Sequence, residues 1–226
     1  MQTITTDQYK IFSSDTLEEM ATDRNQEIRL LAAEDTGTPG QALLQLAYDD
    51  SAQVRYGVAR NENATFDALA RLAEDRIPGI RKDVARHPHT LFTTLILLGH
   101  DRDEEVRREV ALNPHTPPPM LTILAVDPCE GVRENVARNQ STPSGVLAGL
   151  ATSTYPCIRA IVASNPSTLY ETLAELAQDN DESVRISVAR NSSTSQGTIK
   201  QLAKDSSEAV RRAVAERPRS QVSDMQ

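Results

Sequence analysis

The sequence predicts an all-α protein: a superhelical α-solenoid of 26-residue two-helix repeats. Three observations carry this. An apolar-Arg pair recurs as Ile28-Arg29, Val54-Arg55, Ile80-Arg81, Val106-Arg107, Val132-Arg133, Ile158-Arg159, Val184-Arg185 and Val210-Arg211, every 26 residues and without insertion or deletion. Between successive pairs lies a short apolar stripe at i, i+3, i+4, as in Leu43/Leu46/Ala47, Leu121/Leu124/Ala125 and Leu173/Leu176/Ala177, the spacing of one helix face. Asn, Pro and Thr separate the two runs. A fixed period of this length marks a solenoid, in which each unit buries its apolar face against its neighbours.

In chain order, residues 1–22 read as an N-terminal half-repeat cap. Ser13-Ser14-Asp15 offers helix caps, and Leu17, Met20 and Ala21 fall in phase with the later stripes. Residues 23–217 read as seven full repeats plus a final half repeat. The first helix of each repeat is expected to open at Asp23, Asp49, Asp75, Asp101, Asp127, Asp179 or Asp205, with Ser153 breaking the series, because Asp and Ser both cap helix N-termini. Gln26, Glu104, Glu130, Glu182 and Glu208, three residues on, would complete a capping box. Pro128 would occupy the first helical position.

The helix should end near Asn61, Asn113, Asn139, Asn165 or Asn191, since Asn tolerates the left-handed conformation common at helix ends. The second helix should be capped by Thr38, Thr90, Thr116, Thr142, Thr168 or Thr194, with Pro39, Pro117 and Pro143 at its first position. In the second repeat Ala64 takes the Thr position, so Asn63 or Thr65 must cap instead. Residues 218–226 are polar and are expected to be a disordered tail.

Composition narrows the function classes. Lys+Arg 24 against Asp+Glu 32 gives a net charge of -8, which opposes non-specific attachment to nucleic acid or anionic membrane. No apolar run approaches the length of a membrane-spanning helix, and the N-terminal residues lack the pattern of a signal peptide. A cytoplasmic location is the expectation. Cys129 and Cys157 are too few for a disulfide framework, and reduced thiols are expected. No Gly-rich phosphate loop or nucleophile motif stands out, so no enzyme activity, cofactor or metal site is expected. His87, His89, His100 and His115 fall in neighbouring repeats, but His89 and His115 are equivalent positions roughly one ~10 Å layer apart.

Two basic columns stand out. Arg29, Arg55, Arg81, Arg107, Arg133, Arg159, Arg185 and Arg211 lie inside the apolar arc of the first helix, about 100° from the preceding apolar residue. An inward cation must be paired, so this column is expected to be a structural arginine ladder, partnered by the recurring Asp or a loop carbonyl. Arg60, Arg86, Arg138 and Arg190 share a position at the first helix's C-terminal end, where cations suit the helix dipole. They motivate the alternative reading, a nucleic-acid-binding or DNA-processing repeat protein. The absence of Trp and the presence of only three Phe weigh against it, because unstacked bases need aromatic partners.

The outward side of the second helix varies most. Relative to each apolar anchor it reads Gln41, Gln45, Tyr48 in the first repeat and Asp67, Arg71, Glu74 in the second. It becomes Thr93, Leu97, His100, then Pro119, Ile123, Val126, then Gly145, Gly149, Thr152. Glu171, Glu175, Gln178 restore polarity. An apolar strip with a polar rim is how binding surfaces look. Leu97, His100, Ile123, Val126, Thr93, Pro119 and Gly149 are therefore the expected partner-binding residues of a non-enzymatic protein-binding scaffold.

Asn113-Pro114-His115-Thr116-Pro117, with Val106-Arg107-x-x-Val110-Ala111 before it and Leu121-x-x-Leu124-Ala125 after it, resembles the leucine-rich repeat variant family. The likeness extends over about residues 15–217, and a more distant one links the Val-Arg step to HEAT-type repeats. The resemblance implies a right-handed superhelix alternating α-helices with short α- or 3₁₀-like helices. It also implies a binding role without implying a reaction. Some members of that family carry an iron–sulfur module of clustered N-terminal cysteines. Those cysteines are missing here, so the cofactor is not carried over.

Overall fold

Each repeat folds as a nine-residue helix followed by a seven-residue helix, both α-helical. The computed structural model describes residues 12–217, and among them there are sixteen helices and no strand. The shorter helix could have been 3₁₀ by resemblance; among the described residues it is α throughout. The proposed tail and the first eleven residues of the proposed cap lie outside the described residues.

The chain divides into two compact units, Met1–Leu98 and Gly99–Gln226. The first contains α1 (Ser14–Ala21), α2 (Gln26–Glu34), α3 (Gly40–Leu46), α4 (Ala52–Arg60), α5 (Phe66–Leu72), α6 (Pro78–Arg86) and α7 (Phe92–Leu98). The second contains α8 (Glu104–Leu112), α9 (Pro118–Leu124), α10 (Glu130–Arg138), α11 (Ser144–Leu150), α12 (Pro156–Ser164), α13 (Tyr170–Leu176), α14 (Glu182–Arg190), α15 (Gln196–Leu202) and α16 (Glu208–Ala215). In the first unit α2 packs on α4 and α4 on α6; in the second, α8, α10, α12, α14 and α16 stack in succession. The longer helices thus form the continuous row in each unit, and the shorter ones lean against them.

The core follows the period. Val54, Val58, Ile80 and Val84 in the first unit, and Val106, Val132, Ile158 and Val184 in the second, are fully buried, as are the anchors Leu43, Leu95, Leu121, Leu147 and Leu173. Each such side chain stabilises the fold by about 1.5–3 kcal/mol relative to exposure. Gly99 replaces the Ala that closes the other stripes, and a Cβ there would collide with Met120. The larger Met120 is accommodated by the smaller Gly99.

The structure moves the caps. The first helices begin two residues later than the recurring Asp suggests: their N-caps are Asn25, Ser51, Ile77, Asp103, Cys129, Tyr155, Asp181 and Ser207. The Asp instead closes a turn, accepting from the backbone N–H two residues on, as Asp49 does from Ser51 and Asp179 from Asp181. Gln26, Glu104, Glu130, Glu182 and Glu208 consequently open their helices and cannot form the expected capping box. Pro128 precedes the N-cap, whereas Pro78 and Pro156 hold the first helical position.

At the other end, Asn61 has φ -70 and ψ 121, and no described residue has positive φ. The Asn is therefore not a left-handed terminator. Its amide reaches into the preceding repeat. Asn61 Nδ2 donates to Ala33 O and Asp35 O, and Asn139, Asn165 and Asn191 repeat this bridge within the second unit. The recurring Thr is likewise not a cap of the second helix. Thr38, Thr90, Thr116, Thr142, Thr168 and Thr194 each donate to the carbonyl six residues earlier, and from Thr90 onward that oxygen also accepts from the backbone N–H three residues after it. Pro39, Pro117 and Pro143 sit at the N-cap rather than one residue later. In the second repeat Thr65 does cap, accepting from Ala68 N.

His87 takes the Asn position in the first unit, and its Nε2 bonds Asn61 O at 2.9 Å while Nδ1 accepts from His89 N–H. That pattern needs the neutral ring with its proton on Nε2. Burial pushes the His87 pKa below its ordinary value; the Asn61 carbonyl and Glu62 oppose the shift and His89 adds to it. A depressed folded pKa contributes stability that is present above the unfolded value of about 6.5 and is lost as pH falls through the folded one. Urea midpoints should therefore decline below about pH 6.5, and in His87→Asn they should stay level until the carboxylates titrate. An equal decline in both proteins would show that His87 is not the responsible group.

Candidate functional site

Cross-repeat chemistry is concentrated in the arginine column. In the first unit Arg29 Nε lies 2.6 Å from Asp49 Oδ2 and Arg55 Nε 2.5 Å from Asp75 Oδ2. In the second, Arg107–Asp127, Arg159–Asp179 and Arg185–Asp205 pair at 2.7, 2.6 and 2.9 Å. Each NH2 bonds the other carboxylate oxygen, giving the bidentate fork that Arg supplies and Lys cannot. The NH1 of each turns back to the carbonyl of its own repeat's Asp or Ser, such as Asp49 O or Ser153 O. Each carboxylate thus joins one repeat to the next. Arg81 is buried with NH1 on Asp75 O; Arg211 bonds Asp205 O and Ser206 O.

Arg133 differs from these pairs. Its NH1 donates to Asp127 O and Pro128 O, but the next repeat offers Ser153 in place of Asp, and the guanidinium carbon stands 5.7 Å from the Tyr155 ring centroid instead.

Two members of the second basic column hold carboxylates. Arg60 is paired with the buried Asp83 at 2.6 Å and lies over Tyr56, both in the first unit. Arg138 pairs with Glu134 on its own helix at 3.2 Å. Arg86 and Arg190 are exposed at helix C-termini.

The outward residues of the second helices are exposed. In the first unit Thr93 and Leu97 project from α7, with Leu97 52% exposed beside the exposed Phe92 and Ile96. In the second unit Pro119 and Ile123 project from α9 and Val126 follows it, Ile123 being 50% and Val126 82% exposed. His100 and Gly149 are also exposed in that unit, and nothing lies within 4 Å of a Cβ built on Gly149. Sequence reading missed Phe92 and Ile96, which lie one position from residues it examined, and also Leu169 and Tyr170, exposed at the start of α13.

One further cluster has no sequence signal, because its cysteine lies 23 and 27 positions from its two glutamates. Glu130, Glu134 and Cys157 bring ligand atoms within 4.8 Å of one another. Cys157 Sγ donates to Glu130 Oε1 at 3.4 Å. Burial, then the Glu130 hydrogen bond, push the Cys157 thiol up from its ordinary value, and a protonated thiol is neither nucleophile nor metal ligand. Cys129 is also a free thiol.

The described chain is thus an all-helical repeat solenoid whose repeats are joined by side-chain ladders. The leucine rich repeat variant model matches residues 104–128. A solved structure described as a leucine-rich repeat variant with a novel repetitive protein structural motif is 27% identical, with TM-score 0.67 over 91% of this chain and 82% of that one. The resemblance to the leucine-rich repeat variant family therefore holds in 25 residues of sequence, just short of one repeat, and across the fold. An engineered protein is 17% identical over 91% of this chain and 77% of that one, with TM-score 0.47. A designed armadillo repeat protein in complex with the peptide (KR)4 is 14% identical over 90% and 97%, with TM-score 0.29. Neither bears on function at that distance. No curated protein matches the sequence. No helix among the described residues is long and apolar enough to cross a membrane.

Proposed function

We propose that the protein is a non-enzymatic scaffold that binds a protein partner through the outward faces of its second helices. The observation that carries this is the exposure of Leu97 on α7 and of Ile123 and Val126 at α9, positions where α5 carries Asp67, Arg71 and Glu74. An exposed apolar side chain adds little to folding, yet burying one against a partner stabilises a complex by about 1.5–3 kcal/mol. The first-unit face adds Phe92, Ile96 and Thr93; the second-unit face adds Pro119, with His100 and Gly149 in the same unit. A cytoplasmic setting with reduced thiols fits this reading.

Leu97→Asp combined with Ile123→Asp should leave the melting temperature nearly unchanged while abolishing capture of the protein's partners from its native cells. Unfolding of the double variant would place these side chains in the core and remove the proposed faces. The nucleic-acid alternative is less favoured, because Arg60 and Arg138 already hold carboxylates. Tight, salt-sensitive duplex or single-strand binding that is lost in Arg86→Glu would reverse that preference.

A further inference from the structure

Each paired carboxylate of the ladder in the second unit is flanked by two guanidinium groups. Asp127 feels Arg107 and Arg133, Asp179 feels Arg159 and Arg185, and Asp205 feels Arg185 and Arg211. All three carboxyls are held below the ordinary carboxylate range. Arg159 and Arg185 hydrogen bonds are the leading cause at Asp179 and Asp205; at Asp127 burial opposes the shift and the Arg107 hydrogen bond leads those that lower it. The surroundings at this repeat position therefore favour a bound negative charge.

Position 153 has the same surroundings without the charge. Arg159 NH1 donates to Ser153 O at 2.8 Å, but its Nε–NH2 edge is committed to Asp179. Arg133 approaches from the preceding repeat, half-buried, with NH1 fixed on Asp127 O at 2.6 Å and on Pro128 O at 3.1 Å. Among the described residues its Nε and NH2 make no hydrogen bond to any side chain. Ser153 Oγ accepts from Tyr155 N–H at 3.2 Å, preserving the turn but supplying no anion. Thr152 and Thr154 beside it are neutral, and of the nearby acids Glu134 faces Arg138 and Glu130 faces Cys157. The loop also gains an aromatic: Tyr155 is the N-cap of α12, a position held by Cys129 and Asp181 in the repeats on either side. The fork that elsewhere grips an aspartate is thus held ready, with an aromatic ring beside it.

We propose that Arg133, Ser153 and Tyr155 form a carboxylate-binding notch, and that the protein partner delivers an acidic side chain into it. This rests on the scaffold reading and names the chemistry of its partner. The ligand's two oxygens take the places of the missing aspartate's, on Arg133 Nε and NH2, where a fork–fork pair gives geometric selectivity as well as charge. Tyr155 presents its ring to the guanidinium carbon, an arrangement in which a cation and an aromatic face attract.

The test is a titration of the isotope-labelled full chain with sodium acetate at constant ionic strength, following the Nε–H resonances of Arg133 and of the exposed Arg190. Arg133 should shift saturably, with half-saturation on the order of tens of millimolar for a single charge-assisted pair, while Arg190 drifts without saturating. Ser153→Asp places the carboxylate in the chain itself. It should abolish the acetate response and raise the melting temperature, and Arg133→Lys should also abolish the response by removing the fork. The proposal is overturned if Arg133 responds no more than Arg190, if Ser153→Asp folds yet leaves the response intact, or if inorganic phosphate saturates Arg133 at lower concentration than acetate. Failure of the scaffold reading shows separately, as capture that survives Leu97→Asp with Ile123→Asp.

Discussion

Arg55→Ala is expected to destabilise the protein by about 3–5 kcal/mol, the range for removing one partner of a buried ion pair. Its side chain is 8% exposed and that of Asp75 is 5%, so the substitution leaves a carboxylate sealed from water with its fork gone. The cost comes from that stranded charge more than from the lost attraction. Arg55→Met combined with Asp75→Leu removes both charges and should recover most of the stability. Urea unfolding reads the difference directly, as a lower midpoint at unchanged slope in the single variant. A loss below about 1 kcal/mol, the value of an exposed pair, would mean that the pair is solvated in solution. The same ladder sets the acid limit. Burial would raise the Asp75 carboxyl, but hydrogen bonds from Arg55 and from Ile77 N–H bring it below its ordinary value. Its stabilisation is therefore present above about pH 4 and is lost as pH falls through the lower folded value.

Asn139→Ala should cost about 1–3 kcal/mol, the range for one buried polar group left unpaired. Asn139 Nδ2 donates to Ala111 O and Asn113 O, both at 2.9 Å, and its Oδ1 accepts from Ser141 N. Alanine would leave Ala111 O of the preceding repeat without this donor, while Asn113 O keeps the Thr116 N–H. Asn139→Asp preserves size and the bond from Ser141 but presents acceptors to acceptors, so it should be at least as damaging. If Asn139→Asp melts with the wild type, the amide bridge does not hold adjacent repeats together.

The repeat length, the two-helix plan and the buried valines and leucines are legible in the sequence because each is periodic. Burial follows a local rule when every unit meets a copy of itself. The caps are less legible, although the residue types are typical of caps. Asp, Asn and Thr favour helix ends in isolated chains for reasons of local hydrogen bonding. Here the Asp and the Asn are spent on neighbouring repeats, Asp49 on Arg29 and Asn61 on Ala33 O and Asp35 O, while Thr38 closes its own repeat on Ala32 O. Local preference places each near a helix end, and stacking then recruits the Asp and the Asn across the gap. Sequence spacing cannot separate the two roles, since both recur every repeat.

What the sequence determined by itself is the one-dimensional order: an apolar face every 26 residues, an arginine inside that face, and a break in the acidic series at Ser153. Those follow from helical geometry and from the rule that a buried cation needs a partner. Only the tertiary structure decided which partner that is. Arg107 reaches forward 20 residues to Asp127 and back six to Asp101 O, a choice fixed by how one longer helix lies on the next. It also decided that Leu97, Ile123 and Val126 face water, because exposure depends on what the neighbouring repeat covers. For the same reason, the meaning of Ser153 emerges only when Arg133 is seen opposite it.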